Sequence, residues 1–478
     1  MGKKPEARTY EINSNFLRSY SKRSQRDLRS LYPMTQTPTA GPLFTDLYEL
    51  TMGASYYAHH IFSTATFSLF IRGNHSNRNF FVAAGLEDVL NELTAFRFSE
   101  KDIQYLISMG LFSENYLSYL KHLRFSGDVV AMPEGTIFFA NEPVLEVTAP
   151  IIEAQLIETF VLNTIGLQTM IASKAARCVH AADGRPVIDF SLRRTQGQDA
   201  GIKVARSTYL AGFAGTSNVL AGKIYGIPIS GTMAHSYVEA FDSELEAFSA
   251  YSDTFPQHSI FLIDTYDTIE GAKNAVKVAT AMQKKGNNLI GVRLDSGDIT
   301  ALSQQVRNIF DDAGLFDVKV FASSGFDEFK IAGSLAEGAK IDAFGVGTKV
   351  GVSSDAPFLD VVYKMVRFKD RPVKKLSPGK ITLAGEKQVF RTLNQSGIYL
   401  EDVIGVRDEA ISDAVPLLEK VMENGKLLGP HPSLANLKNQ FKRNFPLIDD
   451  KYKSIHDKVD YPVKLSKRLK DLQKSIYS

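Results

Sequence analysis

"SIFLIDTYDTIEGAKNAVKVATAMQKKGNNLIGVRLDSGD", from Ser259 to Asp298, holds two apolar runs, each ending in carboxylates, with a helical segment between them. "SIFLIDTY" and "NLIGVRLDSGD" are too short and apolar for amphipathic helices and read as buried strands. Between them Ile269, Ala272, Val276, Ala279 and Met282 share one face of a helix. This is a strand–helix–strand unit, whose right-handed crossover makes the two strands parallel. The same alternation extends outward on both sides. "PVIDF" from Pro186 and "IPISGTMA" from Ile227 precede the stretch, and "VKVFASSG" from Val318 and "AFGVGTKVG" from Ala343 follow it. The next helix places Ile299, Leu302, Val306 and Ile309 together. Strand starts fall roughly 25–40 residues apart, as successive βα units require. Such a series closes as a barrel or opens as a doubly wound sheet. Either way, chemistry gathers at the carboxyl ends of the strands.

Those ends carry Phe190 and Arg193, then His235, then Asp264 and Asp267, then Arg293, Asp295 and Asp298, then Ser323 and Ser324, and finally Gly345, Gly347 and Thr348. A lone histidine beside an apolar run is usually a core residue. At one of six successive strand ends rich in polar groups, His235 is instead a candidate for function. The turn Gly345–Thr348 lets backbone N–H groups approach a phosphate, because glycine lacks the obstructing Cβ. Arg193, Arg194 and Arg293 suit bidentate phosphate contacts. The carboxylates suit ribose hydroxyls or a phosphate-bound Mg²⁺. A GxxxxGK[ST] loop, HExxH, CxxC and GxSxG are all absent, and "GVGTKVG" misplaces its glycines for GxGxxG.

Composition narrows the class. The 478 residues are 44% hydrophobic and 23% charged with net charge +2, so neither nucleic acid nor a membrane is expected as a partner. Cys178 is the single cysteine, which excludes an internal disulfide and a cysteine metal cage. No apolar run approaches the ~20 residues that span a bilayer, and no signal-peptide core occurs, so a cytoplasmic protein is expected. Residues 1–38 are basic and aperiodic and are expected to be a disordered tail. Asp46 with Glu49 reads as a capping box, "TFSLFIRG" as a half-buried strand, and Leu86–Phe96 as a helix. Residues 127–149 read as short antiparallel strands broken at Pro133–Gly135 and Asn141–Pro143. Beyond residue 360 the style is again β-rich, compatible with one discontinuous domain. The chain closes on an apolar stripe of Leu465, Leu469, Leu472 and Ile476.

Eight segments carry a resemblance. "TDLYELTM", "SLRRTQG", "GTSNVLAG", "GTMAHSYVEAF", "LIDTYDT", "VRLDSGD", "FGVGTKVG" and "GKITLAGEKQVFR" occur in this order across residues 43–395. In them the chain resembles the nicotinate phosphoribosyltransferases, type II phosphoribosyltransferases. Ala384 departs from an expected proline, and the basic tail has no family counterpart.

The resemblance implies an α/β fold, an irregular β/α barrel (161–358) with an α/β sandwich domain formed by N-terminal (39–160) and C-terminal (359–478) segments, the latter ending in a helical region. It implies conversion of nicotinate, 5-phosphoribosyl 1-diphosphate and ATP to nicotinate mononucleotide, diphosphate, ADP and phosphate, the first step of NAD salvage from nicotinate. His235 would become a phosphohistidine, with Asp264 holding its other ring nitrogen. Phe190 and Tyr48 would sandwich the pyridine ring, with Tyr48 supplied by the partner chain of a homodimer with shared active sites. Arg193 and Arg293 would lie near its carboxylate or the phosphates, Asp295 on ribose, and Arg72 on diphosphate. Ser323, Ser324, Gly347 and Thr348 would hold the 5′-phosphate. Mg²⁺ would arrive with the phosphate substrates, with no metal site of the protein's own. Ser217 stands where aspartate would favour nicotinamide, the substrate of the nearest rival. A Schiff-base aldolase using Lys349 and a non-catalytic metabolite-binding protein are the rivals from other classes.

Overall fold

The computed structural model describes residues 41–73, 78–375 and 382–476. The expected tail, residues 1–38, lies outside them. The N-terminal part contributes β1 (Thr64–Ile71), β2 (Phe81–Val82), β3 (Asp128–Ala131), β4 (Ile137–Phe138) and β5 (Pro143–Pro150). Then come β6 (Val187–Asp189), β7 (Gly215–Thr216), β8 (Ile260–Leu262), β9 (Gly291–Leu294), β10 (Lys319–Ala322) and β11 (Ala343–Val346). The remainder supplies β12 (Val361–Phe368), β13 (Arg371–Pro372), β14 (Lys387–Leu393), β15 (Tyr399–Val406), β16 (Ala414–Pro416), β17 (Glu419–Glu423), β18 (Lys426–Leu427) and β19 (Val463–Leu465).

Six strands form one parallel sheet in the order β7-β6-β11-β10-β9-β8. The first of them in the chain, β6, pairs with the last, β11, through Val187 with Phe344 and Asp189 with Val346. The sheet therefore curls in the circular order of a barrel, and among the described residues no ladder joins its two ends. "IPISGTMA" is not a strand. It contributes one bridge, Thr216 to Ile229. Pro228 brings no N–H, and the run passes at once into Ser230 and Gly231. The helix Thr268–Lys284 buries Ala272, Ala279 and Met282, and the helix Ile299–Asp312 buries Ile299 and Val306. Their apolar faces join the sheet in one core.

Both ends of the chain build the antiparallel seven-stranded sheet, β13-β12-β1-β5-β3-β17-β18. β1 lies between β5 and β12 and is buried at all positions after Thr64, not on alternate ones. Its polar side is covered too. Thr66 Oγ1 lies 3.1 Å from Glu386, just before β14. A four-stranded sheet, β16-β14-β15-β19, and the pair β2-β4 complete the β structure.

The helix Glu158–Ala181 has 24 residues, about 36 Å of rise. It runs across the expected boundary at 160/161 and carries the chain from one sheet system to the other. Two local expectations also change. Asp46 makes no side-chain cap, because Glu49 is buried and accepts from Thr45 Oγ1 and from the Thr159 N–H at 3.0 Å. Leu465 belongs to β19, and the last helix is Lys467–Ser475.

A buried acidic pair joins the small sheet to the turn before β5. Arg391 holds Asp402 through Nε (2.9 Å) and Nη2, and Glu142 accepts from the Phe139 N–H at 2.9 Å. Burial and the neighbouring Asp402 push the Glu142 carboxyl well above the usual carboxylate range, against the pull of Arg391. The folded chain thus keeps a proton that the unfolded chain releases near pH 4.3. Stability from this site is complete below that value and falls as pH rises through the folded pKa. Glu142→Gln keeps the shape without the titration. Its melting temperature relative to wild type is expected to gain about 2 °C between pH 5 and pH 8. A difference independent of pH in calorimetry would refute the retention of a proton by folded Glu142.

Candidate active site

The strand ends deliver side chains to one rim. β6 ends at Asp189, whose buried carboxylate accepts from the Ser191 N–H (2.9 Å) and Thr216 Oγ1 (2.7 Å). Burial raises its pKa. These bonds fix the turn that carries Phe190, whose own N–H donates to the Val346 carbonyl at 2.9 Å. The Phe190 ring rests on Gly345, where a Cβ would stand 2.5 Å from a ring carbon. Gly345 therefore makes room for an aromatic ring, a use that the phosphate reading of the turn did not foresee.

His235 opens the short helix His235–Glu239. Its Nδ1 lies 3.2 Å from Thr265 Oγ1, and its Nε2 lies 3.9 Å from Asp295 Oδ2, with the ring side chain 39% exposed. Asp264 does not bond to the ring; its Oδ2 accepts from the Asp295 N–H (2.8 Å) and Ser296 Oγ (2.6 Å). The expected Asp264–His235 pair is thus replaced by Thr265–His235. Successive side chains beyond an extended strand alternate in direction, so Asp264 turns toward the end of β9 while Thr265 reaches the ring. The other oxygen of Asp264, Oδ1, is buried without a hydrogen-bond partner.

Arg293 on β9 donates through Nη1 to Thr232 Oγ1 (2.7 Å) and through Nη2 to the Met233 carbonyl (3.2 Å). It thereby ties down the segment leading to His235. Burial lowers its pKa, Asp295 and Asp264 oppose that, and Arg193 adds to it. Asp295 Oδ1 accepts from Ser323 Oγ. Ser324 follows at φ +84°, with its carbonyl receiving Lys330 Nζ at 2.8 Å. Gly347 precedes the short turn of helix Thr348–Gly351.

His235, Asp264, Arg293, Asp295 and Ser323 are therefore linked by direct or one-residue contacts. Arg193 lies in the exposed turn Leu192–Arg194, within electrostatic reach of Arg293. Ser217 follows β7 and donates its N–H to the Asp189 carbonyl at 2.9 Å. Arg72 leaves β1 with its N–H on the Asp360 carbonyl (2.9 Å) and Nη1 4.0 Å from Asp360 Oδ2. Tyr48, on the helix Leu47–Ala58, is 45% exposed and makes no contact with the rim cluster. Two rim carboxylates are structural. Asp267 caps Thr268–Lys284 through the Ile269 and Glu270 N–H groups, and Asp298 caps Ile299–Asp312 through Ala301. Lys349 Nζ is engaged by Asp327 Oδ2 at 2.9 Å, a structural pairing that links its turn to the neighbouring one. Thr265, Ser296 and Asp189 were missed in the sequence. Their adjacency to strand-end acids was the available signal.

Three family descriptions match the chain in succession: the nicotinate phosphoribosyltransferase N-terminal domain over residues 43–166, the nicotinate phosphoribosyltransferase family over 186–383, and its C-terminal domain over 410–473. The chain belongs to the nicotinate phosphoribosyltransferase family. A nicotinate phosphoribosyltransferase of Mycobacterium tuberculosis is 48% identical over 433 residues, 90% of this chain and 92% of that one. That of Bacillus subtilis is 38% identical over 89% of this chain and 92% of its own length. The crystal structure of the human nicotinic acid phosphoribosyltransferase superposes with a TM-score of 0.81 at 29% identity, over 90% of this chain and 99% of that one. The protein is accordingly an enzyme of the nicotinate phosphoribosyltransferase type. Among the described residues no helix is long and apolar enough to cross a membrane.

Proposed function

We propose that this enzyme joins the ring nitrogen of nicotinate to C1 of 5-phosphoribosyl 1-diphosphate, and that ATP hydrolysis is coupled to the reaction through a phosphohistidine at His235. The observation that carries this proposal is the imidazole of His235, set between Thr265 and Asp295 on the same rim as Arg293 and Ser323. Thr265 engages Nδ1, which leaves Nε2 to attack the γ-phosphorus of ATP as the bond to ADP breaks. Water later releases the phosphate. In the transfer step the nicotinate nitrogen forms its bond to C1, and the C1–O bond electrons leave with diphosphate. Positive charge develops on the ribose, and Asp295 and Asp264 are the nearby carboxylates that favour it. Phe190 on Gly345 offers a face for the pyridine ring, and Arg193 offers a cation for its carboxylate. Ser217, being uncharged, leaves that carboxylate unopposed. Arg72 is assigned to diphosphate, and Ser323, Ser324, Gly347 and Thr348 to the 5′-phosphate.

Mg²⁺ fits as a substrate-borne ion. Among the described residues no group of three acidic, histidine or cysteine side chains forms a cage. Mg²⁺ needs only one or two carboxylates when phosphates and water supply its other ligands. Asp264, with its buried unpartnered Oδ1, and Asp295 are the groups that would hold it. When bound it neutralises charge on the departing diphosphate. We also assign a homodimer with shared sites. The exposed Phe44, Leu47 and Tyr48 form an apolar strip that a two-fold partner would cover. Sedimentation should give twice the chain mass, and a monomer that is fully active would end this assignment. The test of the reaction is product formation from nicotinate and from nicotinamide, each with phosphoribosyl diphosphate, with and without ATP. Nicotinate with ATP should give the fastest conversion. No mononucleotide from nicotinate would reject the function, and a rate indifferent to ATP would reject the coupling.

A further inference from the structure

Behind the rim, three cations and two carboxylates are packed without a route to solvent for most of them. Lys174, on the helix Glu158–Ala181, places Nζ 2.6 Å from Glu328 Oε2 and 2.9 Å from Asp355 Oδ1. Lys174 and Glu328 are fully buried. Each carboxylate also has a cation of its own. Arg177 Nε lies 2.8 Å from Glu328 Oε1, and Arg78 Nη2 lies 3.0 Å from Asp355 Oδ1.

The two carboxylates belong to different turns. Glu328 opens the helix that directly follows Ser323–Asp327, and Asp355 ends the segment that starts at Gly347–Thr348. Each turn contains a serine in the left-handed region, Ser324 at φ +84° and Ser353 at φ +46°. Such residues persist only where the surroundings over-determine them. Ser353 shows how. Its hydroxyl accepts from Arg78 Nη2 at 2.6 Å and donates to the Ala356 carbonyl at 2.6 Å.

Given the phosphate-holding role proposed above for Ser323, Ser324, Gly347 and Thr348, we infer that Lys174 is a positioning residue that fixes the spacing between these two turns and so the fit of the sugar 5′-phosphate. Lys174 touches no substrate. It joins the two turns in the buried interior, where each also has its own guanidinium, Arg177 or Arg78, while the half-exposed Lys349 bridges them at the rim through Asp327. A buried ammonium between two carboxylates defines one distance between them, because displacing either turn gives up one of its two short contacts in a dry interior.

Lys174→Met severs this link while leaving each carboxylate its own guanidinium, so the fold is retained. The expected result is a KM for phosphoribosyl diphosphate raised about tenfold, with the KM for nicotinate and kcat within about twofold of wild type. Calorimetric titration with ribose 5-phosphate should show the same tenfold loss. Asp355→Asn, at the partly exposed end of the link, should shift the same constants in the same direction and decides the matter if Lys174→Met does not yield folded protein. If wild type and both variants bind ribose 5-phosphate equally, or if both KM values rise together, the positioning role is wrong. If wild type neither binds ribose 5-phosphate nor forms nicotinate mononucleotide, it is the proposed function that fails.

Discussion

His235→Ala is expected to abolish ATP hydrolysis and acid-labile phosphate incorporation, and to leave a slow transfer that ATP no longer stimulates. The imidazole is the nucleophile in the proposed phosphoryl step, and no second histidine lies in the rim cluster to replace it. The groups proposed above for ribose and phosphate, Asp295, Ser323 and the glycine turn, keep the Ser323–Asp295 hydrogen bond and the turn of helix after Gly347 when the imidazole is removed. Residual transfer should therefore survive. The ring is 39% exposed and makes one hydrogen bond, to Thr265, so the melting temperature should move by no more than about 2 °C. Labelling with γ-phosphate-labelled ATP and an ADP-release assay read both halves of the result. Normal labelling in the variant would place the phosphoryl group elsewhere.

Asp295→Ala should cost the most in the transfer step itself. Its carboxylate receives Ser323 Oγ and faces His235 Nε2 at 3.9 Å, while its backbone N–H anchors Asp264. The backbone bond survives substitution and the side-chain contacts do not. A hydrogen bond from a ribose hydroxyl to a carboxylate is worth about 1.5–3 kcal/mol, so kcat/KM should fall roughly 10- to 150-fold. Freeing Ser323 takes the loss toward the upper end. Initial rates at varied phosphoribosyl diphosphate check this, and a loss below about threefold would remove Asp295 from the ribose site.

The alternation of βα units was readable because it depends on local periodicity, which the Ile269–Met282 face displays on its own. "IPISGTMA" misled for the same reason. Its apolar residues mimic a strand, while the missing N–H of Pro228 limits pairing to the bridge at Ile229. β1 appeared half-buried because its second cover comes from residues more than 300 positions later, at Glu386, and sequence spacing carries no trace of that contact. At the site, residue types at the strand ends were readable, but side-chain direction was not. The resemblance placed Asp264 on the histidine ring, which Thr265 reaches while Asp264 accepts from Ser296. The roles of Asp267 and Asp298 as helix caps were hidden in the same way. An acid after a strand looks alike whether it serves a ligand or the next helix.

β1 carries a consequence for how the chain comes off the ribosome. It pairs with β5 on one side within about 80 residues, but its other neighbour, β12, begins roughly 290 residues after β1 ends. At about 5–20 residues per second, synthesis leaves that edge open for roughly 15–60 s. During that interval a row of unpaired amides and carbonyls beside Phe67, Leu69 and Ile71 is available to any other nascent strand. The parallel sheet is emerging at the same time, so the N-terminal fragment must be shielded until the last quarter of the chain arrives to complete it.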